Sequence, residues 1–366
     1  MKPALYAVVL AGGRGERFWP VGRHSRPKQF VDLFGGKPLI RHAIDRLKGL
    51  VRPENILVVT SSDLVPATRK ALPNLPPENI LGEPVGRDTA AACATATAWV
   101  AWKGGDLATM CILTADHLIA DPAGFRAVLA NASKMVAERP VMSVIGIKPT
   151  YPATGYGYIE LGKPVSGKSL PRGFRSVKRF VEKPNLGTAA TYVKSGRFLW
   201  NSGMFVWRVD TFLAALAAYC PQLNELVGSL RLSFGTKGFA RCFAAQYRRL
   251  GKISVDYAVM EHAQNLVVAA GDFGWDDVGT WVSAAAHFAQ DADGNAHHGA
   301  SQMLASHGNA VVNTEAGHLV ALLGCDDLVV VHTGDATLVC TKEAADGLKA
   351  LVKEIGADPA RAKFIR

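Results

Sequence analysis

Two features that many proteins have are missing from this sequence: a long apolar run and closely spaced cysteines. The longest apolar stretch, residues 90–102, is interrupted by threonines and is shorter than the roughly 18 to 20 residues that cross a membrane. The six cysteines lie at least 15 residues apart, which excludes a CxxC pair and a zinc ribbon. Each stands among apolar residues, as buried free thiols do, so we expect a protein of the reducing cytoplasm without a membrane partner.

Acidic residues are scarce near the N terminus. Residues 1–52 contain 11 Lys and Arg against 3 Asp and Glu, a net charge of +8 out of +10 for the whole chain. No basic run with interleaved aromatic residues occurs, so nucleic acid is not an expected partner. Because the excess charge is local, it indicates a pocket for a small and strongly anionic ligand, most simply a nucleoside triphosphate.

A glycine-rich loop stands in this basic region. Residues 4–10 predict a buried strand, and residues 37–50 predict a helix with Pro38 in its first turn. Glycines between them allow positive φ and let backbone N–H groups approach an anion. We therefore expect the nucleotide to contact Leu10, Ala11, Gly12, Gly13 and Gly15. The cations around the loop are Arg14, Arg17, Arg23, Arg26 and Lys28.

The loop does not carry either of two common nucleotide-binding motifs. Phe18 stands where a dinucleotide fingerprint has its third glycine, and Lys37 is followed by proline, whereas a Walker loop needs serine or threonine there. A plain strand-to-helix turn is an alternative that the glycines alone leave open, and the missing third glycine disfavours an NAD-linked dehydrogenase. No Ser/His/Asp or Cys/His arrangement is identifiable in the sequence.

Strands and helices alternate over the first half of the chain. Continuously apolar runs, such as residues 55–60, 108–117 and 141–147, are separated by helical patterns. The alternation indicates an α/β fold with a Rossmann-like, doubly wound and mostly parallel sheet, which binds ligands at the carboxyl ends of its strands. A polar segment predicts a boundary between a catalytic domain, 1–290, and a small C-terminal β-rich domain, 291–366, that ends in a helix.

The block of residues 10–30 resembles the sugar-nucleotide pyrophosphorylases, or nucleotidylyltransferases, and within them the mannose-1-phosphate guanylyltransferase branch. That branch carries the pattern Gly-x-Gly-x-Arg-x-Trp-Pro-x-Ser-Arg-x-x-x-Pro-Lys-Gln-Phe, from which the chain departs at Gly22 in place of serine. The matching positions are Gly13, Gly15, Arg17, Trp19, Pro20, Arg23, Pro27, Lys28, Gln29 and Phe30. Five separated motifs extend the resemblance over residues 1–290, and it implies a sheet of the nucleotide-diphospho-sugar transferase type.

Two acidic positions are candidate metal ligands. Asp116 ends a buried strand, where it is either a turn or cap residue or a carboxylate for Mg²⁺, which binds one or two carboxylates plus phosphate oxygens. A second carboxylate is available at Asp276 or Asp277, shortly before Gly279. The resemblance implies that Asp277, the acidic residue before Val-Gly, completes the metal site, with Asp276 as the local competitor.

A sugar-phosphate site is also implied by the resemblance. Glu182 and Lys183 lie in a Glu-Lys-Pro element, which without the family would be an exposed strand end and a turn. In the family this element binds the sugar phosphate, with Lys183 as a point charge and Glu182 as the acceptor for sugar hydroxyls. Asn201 is implied as a further contact, and Gly157 would let the backbone approach the sugar ring.

Glu83 is the candidate for reading the base. It stands between a predicted strand and a predicted helix, and a carboxylate there can accept from both N1–H and the 2-amino group of guanine, a donor pair that adenine lacks. The wrong base would leave buried polar groups unpaired. The alternative is a loop salt bridge between Glu83 and Arg87, and Arg87 could also touch phosphate or hold Glu83 in place.

The resemblance implies an enzyme that transfers GMP from GTP to α-D-mannose 1-phosphate, giving GDP-mannose and pyrophosphate, with Mg²⁺ as cofactor. Arg17 and Lys28 would neutralise the triphosphate. The alternatives are a pyrophosphorylase for another sugar or base and a non-catalytic, nucleotide-sugar-binding regulatory subunit. Longer relatives append a mannose-6-phosphate isomerase domain, so we expect no isomerase activity from a chain of this length. We expect the C-terminal β-rich unit either to pack on the catalytic domain or to make a homodimer contact.

Overall fold

Nine strands form the largest sheet of the computed structural model, which describes residues 4–13 and 15–366. The strands of the structure are β1 (Leu5–Ala11), β2 (Ile56–Ser61), β3 (Ile80–Glu83), β4 (Thr109–Thr114), β5 (Leu118–Ile119), β6 (Met142–Ile147), β7 (Tyr158–Pro164), β8 (Phe174–Val181), β9 (Phe198–Arg208), β10 (Leu266–Gly271), β11 (Trp275–Asp276), β12 (Ala289–Gln290), β13 (Ala296–His298), β14 (Ser301–Leu304), β15 (Ala310–Asn313), β16 (Val320–Leu323), β17 (Leu328–His332) and β18 (Thr337–Thr341). The helices are α1 (Leu39–Asp45), α2 (Val65–Ala71), α3 (Asp88–Gly104), α4 (Pro122–Glu138), α5 (Leu186–Ser195), α6 (Val209–Tyr219), α7 (Pro221–Ser233), α8 (Phe239–Arg248), α9 (Trp281–Ala285) and α10 (Leu348–Ala357).

The first half of the large sheet is parallel and runs in the order β3-β2-β1-β4. Val8 in β1 pairs with Leu57 on one side and with Ile112 on the other, and all three are fully buried. Strands that are covered on both faces must be apolar at every position, which explains the continuous apolar runs in the sequence. The carboxyl ends of these strands share one edge, so the segments that follow β1, β3 and β4 start together there.

The second half of the sheet continues as β9-β6-β10-β8-β7 and is mixed. β9 runs antiparallel to both β4 and β6, while β6 and β10 are parallel. The register between β6 and β9 shifts between Val144 and Gly146, an irregularity that bends a strand locally. The predicted α/β class is confirmed, with parallel pairing concentrated in the β3-to-β4 half.

Helix α3 lies in the core beside this sheet. Twelve of its 17 residues are buried, and most of them are alanines. Small side chains let a helix approach its neighbours closely, and α3 packs along α7. The apolar stretch that is too short for a membrane span is therefore a buried helix of the core. The helices that the structure describes are all too short or too polar to span a membrane.

A second group of strands follows α9. Strands β13, β15 and β17 pair in parallel, as do β14 and β16. The chain therefore winds in successive coils, and corresponding strands of neighbouring coils lie side by side. Val311 and Val330 are among the buried residues of these coils. Two buried asparagines also stack, since Asn309 donates from Nδ2 to Asn295 Oδ1 at 2.9 Å. This ladder satisfies backbone groups in the turns between the coils.

The described chain divides into two compact units. The first holds the residues up to Gly12, then Ala43–Ala115 and Ile119–Trp275; the second holds Gly13–His42, Asp116–Leu118 and Asp276–Arg366. Each unit has its own apolar core. The chain enters the second unit directly after Gly12 and again directly after Ala115, shortly after the ends of β1 and β4. The predicted boundary at residue 290 lies within the second unit and stays a proposal.

Candidate active site

A buried lysine lies among acidic residues in the second unit. Lys28 begins the 3-10 turn Lys28–Phe30, and only 8% of its side chain is exposed. Its Nζ lies 3.1 Å from Asp116 Oδ2 and also donates to the main-chain oxygen of Asp277. The ring of Phe18 packs beside the ammonium group, with its centroid 5.6 Å from Nζ. Three residues, of which Asp277 lies 249 positions from Lys28 in the chain, therefore converge on one charged group.

The Asp116 carboxylate is only partly covered, with 36% of its side chain exposed. Burial would raise the pKa of Asp116, but the charges of Lys28 and His117 outweigh burial and hold that pKa below its ordinary value. His117 Nε2 lies 3.8 Å from the other carboxylate oxygen, Oδ1. The site thus presents an ionised carboxylate whose hard oxygen atoms are the donors that a divalent cation prefers.

The backbone around Asp277 is strained. Val278 has φ +46°, a left-handed conformation that is rare for a β-branched residue. The turn is tied by two short-range bonds, from Gly279 N to Asp277 Oδ1 at 3.0 Å and from Val278 N to Asp276 Oδ1 at 2.7 Å. Strain of this kind persists where the surroundings enforce it, often at ligand sites. Here it fixes the direction of the Asp277 carboxylate.

Asp276, the competing candidate, has a different partner. Its Oδ2 lies 2.8 Å from His287 Nε2. Burial would raise the pKa of Asp276, but the bonds from His287 and from the Val278 N–H hold it below its ordinary value. His287 and the turn therefore hold the Asp276 carboxylate, and Asp277 as the metal ligand stays a proposal.

Gly15 is required by the way the loop approaches Lys28. It has φ +61°, and a Cβ at this position would lie 2.5 Å from Lys28 N and 2.6 Å from Lys28 Cβ. At Gly13, in contrast, a Cβ would have open space among the described residues. Arg17 follows in the 3-10 turn Glu16–Phe18 with an exposed side chain. The loop thus fixes Lys28 through Gly15 and leaves Arg17 facing solvent.

The other described cations of the loop form hydrogen bonds elsewhere in the second unit. Arg23 donates to Asp335 Oδ1 at 2.6 Å and also to the main-chain oxygen of Phe364, to which Trp19 Nε1 donates as well, at 2.8 Å. Arg26 donates to a carbonyl within its own turn. The bonds of Arg23 and Trp19 attach the loop to the C-terminal segment of the same unit. Arg14 lies outside the described residues.

The oxygen donors fit a divalent cation whose coordination is completed by substrate. Among the described residues, no group of three or more His, Cys, Asp and Glu side chains is arranged to hold a metal by itself. Mg²⁺ normally binds proteins through one or two carboxylates together with phosphate oxygens and water. Asp116 supplies a carboxylate beside Lys28, and Asp277 contacts the same ammonium group through its main-chain oxygen. The donor set matches a metal that arrives with a nucleotide.

In the first unit, Glu83 ends β3 and is 8% exposed. Its Oε1 accepts a hydrogen bond from the Tyr247 hydroxyl, and its Oε2 lies 3.6 Å from the Cβ position of Gly12. Burial raises the pKa of Glu83 to about 7, although the Tyr247 bond opposes this rise. The carboxylate therefore lies beside the start of the glycine loop, where Leu10 and Ala11 end β1.

Arg87 does not pair with Glu83 in the way the alternative hypothesis supposed. Its guanidinium donates to the main-chain oxygens of Tyr247 and Arg248, at 3.3 and 2.7 Å. Asp88, next in the chain, has φ +67°. Arg87 thus binds the last turn of α8 and holds the loop that carries Glu83.

A second polar cluster lies elsewhere in the first unit. Lys183 Nζ lies 2.6 Å from Glu182 Oε1, and Lys183 has φ +43°. The Glu182 side chain is 9% exposed, and its Oε2 is buried without a hydrogen-bond partner among the residues that the structure describes. A Cβ on Gly157 would lie 2.5 Å from that oxygen. An unpaired buried carboxylate oxygen is costly, so this atom is placed to accept from a ligand.

Asn201 and Asp256 complete this cluster. Asn201 Nδ2 donates to Asp256 Oδ1 at 2.9 Å, and Asn201 Oδ1 accepts from Gly203 N at 3.0 Å. Asp256 begins a π-helix, a rare element that is frequent at functional sites. Burial raises the pKa of Asp256 to about 6, and the Glu182 charge contributes to this rise. The cluster combines two carboxylates, an amide and an ammonium group, all of which can hydrogen-bond a polar ligand.

The structure brings the predicted site residues together in three groups. Gly15, Lys28, Asp116 and Asp277 form one group in the second unit; Gly12 and Glu83 form another, and Gly157, Glu182, Lys183 and Asn201 form the third, both in the first unit. Neither Tyr247 nor Asp256 was predicted from the sequence. Tyr247 lies on an ordinary amphipathic helix and gave no signal, whereas an acidic residue within the mostly apolar run 255–260 could have marked Asp256.

An α/β sheet whose first half is parallel, with a glycine-rich loop after its first strand, is typical of nucleotide-binding α/β enzymes. The chain belongs to the nucleotidyl transferase family, whose model matches residues 6–294, and it is therefore an enzyme of the nucleotidyltransferase class. A second model, the MannoseP isomerase/GMP-like beta-helix domain, matches residues 304–355, which contain most of the stacked coils.

Named relatives agree with this assignment. The mannose-1-phosphate guanylyltransferase of Escherichia coli (strain K12) is 39% identical over 358 residues, which cover 97% of this chain and 74% of the relative. ManC of Salmonella typhimurium, also a mannose-1-phosphate guanylyltransferase, is 39% identical over 360 residues, with the same two coverages. A crystal structure from Thermus thermophilus, described as a mannose-1-phosphate geranyltransferase, superposes with a TM-score of 0.86 at 35% identity and covers 96% of this chain and 99% of its own.

Proposed function

We propose that this enzyme transfers GMP from GTP to α-D-mannose 1-phosphate, giving GDP-mannose and pyrophosphate. The observation that carries the proposal is the contact of Lys28 with both Asp116 and Asp277. Three separate motifs of the resembled family supply these residues, and a nucleotidyl transfer needs a cation and metal-binding carboxylates together. The guanylyltransferase names of the 39% identical relatives support the choice of substrates.

The chemical step is an in-line attack of a sugar-phosphate oxygen on the α-phosphorus of GTP, with pyrophosphate leaving. The attacking oxygen is already ionised at neutral pH, so no general base is required, and the protein contributes position and charge neutralisation. Lys28 faces the developing negative charge as a fixed point charge. Arg17, which is exposed in the described structure, binds the triphosphate through the paired N–H groups of its planar guanidinium.

Nucleotidyl transferases generally use a divalent metal, and we propose Mg²⁺ held by Asp116 and Asp277. The bound ion would neutralise charge on the phosphates during the transfer. The two carboxylates have the hard oxygen donors that Mg²⁺ prefers. Lys28 bonds Asp116 Oδ2 and a main-chain oxygen of Asp277, so it also orients the chain segments that would hold the metal.

We assign recognition of the two substrates to Glu83 and to the cluster around Glu182. Glu83 accepts from N1–H and the 2-amino group of guanine beside Gly12, and Arg87 holds its loop. At the other cluster, Lys183 binds the sugar phosphate, and Glu182 accepts from a sugar hydroxyl through its buried Oε2. Asn201 and the backbone of Gly157 complete the sugar contact.

We place the enzyme in the cytoplasm and propose a homodimer. All six cysteines are free thiols, as expected in a reducing compartment. Leu304 and Leu323 pair across the sheet of β14 and β16 and are 66% and 72% exposed, so this edge is the candidate dimer contact. Size-exclusion chromatography with light scattering would test it, and a mass of one chain across the working concentration range would contradict the dimer.

The test of the function is a substrate matrix. Purified protein is offered GTP or ATP with mannose 1-phosphate or glucose 1-phosphate, with and without Mg²⁺, and pyrophosphate release is measured. We expect turnover with GTP, mannose 1-phosphate and Mg²⁺ to exceed all other combinations. Preference for another pair would assign a different pyrophosphorylase, and nucleotide-sugar binding without turnover would assign a regulatory subunit.

A further inference from the structure

Tyr247 is a fully buried tyrosine whose hydroxyl meets a carboxylate. It lies in the last turn of α8 at 0% exposure, and its ring packs edge-on against Phe243 with centroids 5.0 Å apart. The hydroxyl donates to Glu83 Oε1. A hydroxyl in this position is costly to bury unless it has a partner, so its direction is fixed by that bond.

The turn that carries Tyr247 is anchored to the Glu83 loop a second time. Arg87, four residues after Glu83, donates to the main-chain oxygens of Tyr247 and Arg248. The segment after α8 is tied to the same region, since Ala90 N donates to Ile253 O and Val255 N donates to Thr89 Oγ1. Together, α8 and the segment after it hold the Glu83 loop along its length.

We propose that Tyr247 determines base specificity indirectly: its hydroxyl holds the Glu83 carboxylate ionised and oriented toward the Watson–Crick edge of guanine. This inference rests on the proposed function. Tyr247 bonds Oε1 on one side, and Oε2 lies toward Gly12 at the start of the nucleotide loop. Tyr247 is a positioning residue because it acts through Glu83.

A neutral donor suits this task better than a cation. An arginine or lysine beside Glu83 would cancel the charge that attracts the two guanine donors, whereas a hydroxyl stabilises the carboxylate and leaves its net charge in place. Burial raises the pKa of Glu83, the hydrogen bond from Tyr247 lowers it, and the charge of Asp88 raises it further. Burial raises the pKa of the Cys93 thiol, with smaller contributions from the charges of Asp256 and Glu83. In this balance the hydroxyl is therefore the group that favours the ionised carboxylate.

Loss of the Tyr247 hydroxyl should weaken the discrimination between GTP and ATP, because it changes the binding of both nucleotides. A protonated Glu83 no longer accepts from both guanine donors, so GTP binds less well. The same protonated group can donate to N1 of adenine and accept from its 6-amino group, so ATP binds better. Removing a hydrogen bond to a charged group changes an equilibrium by roughly tenfold to a hundredfold, and we expect the ratio of kcat/KM for GTP over ATP to fall by that factor.

The experiment compares Tyr247→Phe with Tyr6→Phe, the same change at another buried tyrosine of the same unit. For each variant, kcat/KM for GTP and for ATP, KM for mannose 1-phosphate and the thermal midpoint are measured. We expect Tyr247→Phe to lower the GTP/ATP ratio and leave KM for mannose 1-phosphate unchanged, and Tyr6→Phe to leave both unchanged. In a Glu83→Gln background, Tyr247→Phe should have no further effect on the ratio.

The wild-type result separates this inference from the proposed function. If the wild type does not turn over GTP with mannose 1-phosphate, the function itself fails. If it does and folded Tyr247→Phe keeps the wild-type ratio within twofold, the role of Tyr247 is overturned.

Should the phenylalanine variant not fold, 3-fluorotyrosine at position 247 keeps the packing and makes the hydroxyl a stronger donor. The pH below which KM for GTP rises should then move downward, and an unchanged profile would also overturn the proposal.

Discussion

Lys28 Nζ lies 3.1 Å from Asp116 Oδ2, although 88 residues separate the two in the chain. The lysine is almost fully buried, and its charge helps hold the pKa of Asp116 below the ordinary value. The pair therefore keeps the Asp116 carboxylate, our proposed metal ligand, ionised, and it holds a positive charge where we propose that a phosphate binds. When nucleotide and metal arrive, the ammonium can exchange the carboxylate for a phosphate oxygen.

Replacing Lys28 by methionine should remove most turnover and preserve the fold. Methionine fills a similar volume beside Phe18, but it cannot stabilise charge on the phosphates, and loss of one such group costs roughly 10² to 10³ in kcat. Steady-state kinetics with GTP and mannose 1-phosphate would measure this loss, and thermal unfolding would check the fold. Lys349→Ala, an exposed lysine of the same unit, is the matched control. Wild-type kcat in folded Lys28→Met would remove Lys28 from the mechanism.

The glycine loop allows a matched comparison at two positions. Gly15→Ala places a Cβ 2.5 Å from Lys28 N at φ +61°, whereas a Cβ on Gly13 meets no described atom within 4 Å. Left-handed backbone costs a non-glycine residue about 1 to 2 kcal/mol, and the clash adds to it. We expect Gly15→Ala to lower the free energy of unfolding by at least that amount and to reduce kcat, and Gly13→Ala to unfold like the wild type. Equal stability of the two variants in urea would contradict the role assigned to Gly15.

The predicted alternation of strands and helices matches most of the large sheet, but β9 was not predicted. At 11 residues this strand is long, and it lies between β4 and β6. Its middle is the polar Asn201-Ser202-Gly203 segment, and Gly203 has φ +69°, so the apolar pattern is broken where a ligand residue is needed. A strand is predicted from the apolar pattern of its buried residues, and a strand that carries polar site residues in its middle lacks that pattern.

For the site, the sequence was informative where a motif is local. Lys28, Asp116 and Asp277 each end or follow a recognisable segment, and the structure brings them together. Tyr247 and Asp256 act through contacts with residues 164 and 55 positions away in the chain. Such partners are defined by tertiary packing, and one sequence contains no spacing that would reveal them.

The affinity for GTP should depend on pH through Glu83. Burial raises the pKa of Glu83 to about 7, so in the free enzyme the carboxyl group gains a proton as the pH falls through that value. A protonated group cannot accept from both guanine donors, and KM for GTP should rise by up to about tenfold per pH unit below about 7 and stay level above it. Initial rates across the pH range would test this. Glu83→Gln should have a high KM without that rise, and an identical profile in both proteins would assign the titration to another group.

Asp256→Asn should affect the sugar substrate selectively. Asp256 Oδ1 accepts from Asn201 Nδ2 at 2.9 Å, so the carboxylate fixes the amide that the sugar is proposed to contact. An asparagine keeps the shape and removes the charge, and losing a hydrogen bond to a charged group costs roughly tenfold in affinity. We expect KM for mannose 1-phosphate to rise by about that factor and KM for GTP to stay within about twofold of the wild type.

The control for this variant is Asp63→Asn, the same chemical change at an exposed position of the same unit. A purely structural role of Asp256 would lower the thermal midpoint and reduce kcat with both KM values unchanged. A rise in both KM values together would point to a general disturbance of the first unit. Only a selective rise for the sugar phosphate supports the cluster of Glu182, Lys183, Asn201 and Asp256 as the sugar subsite, because these side chains contact one another while Glu83 belongs to a separate group.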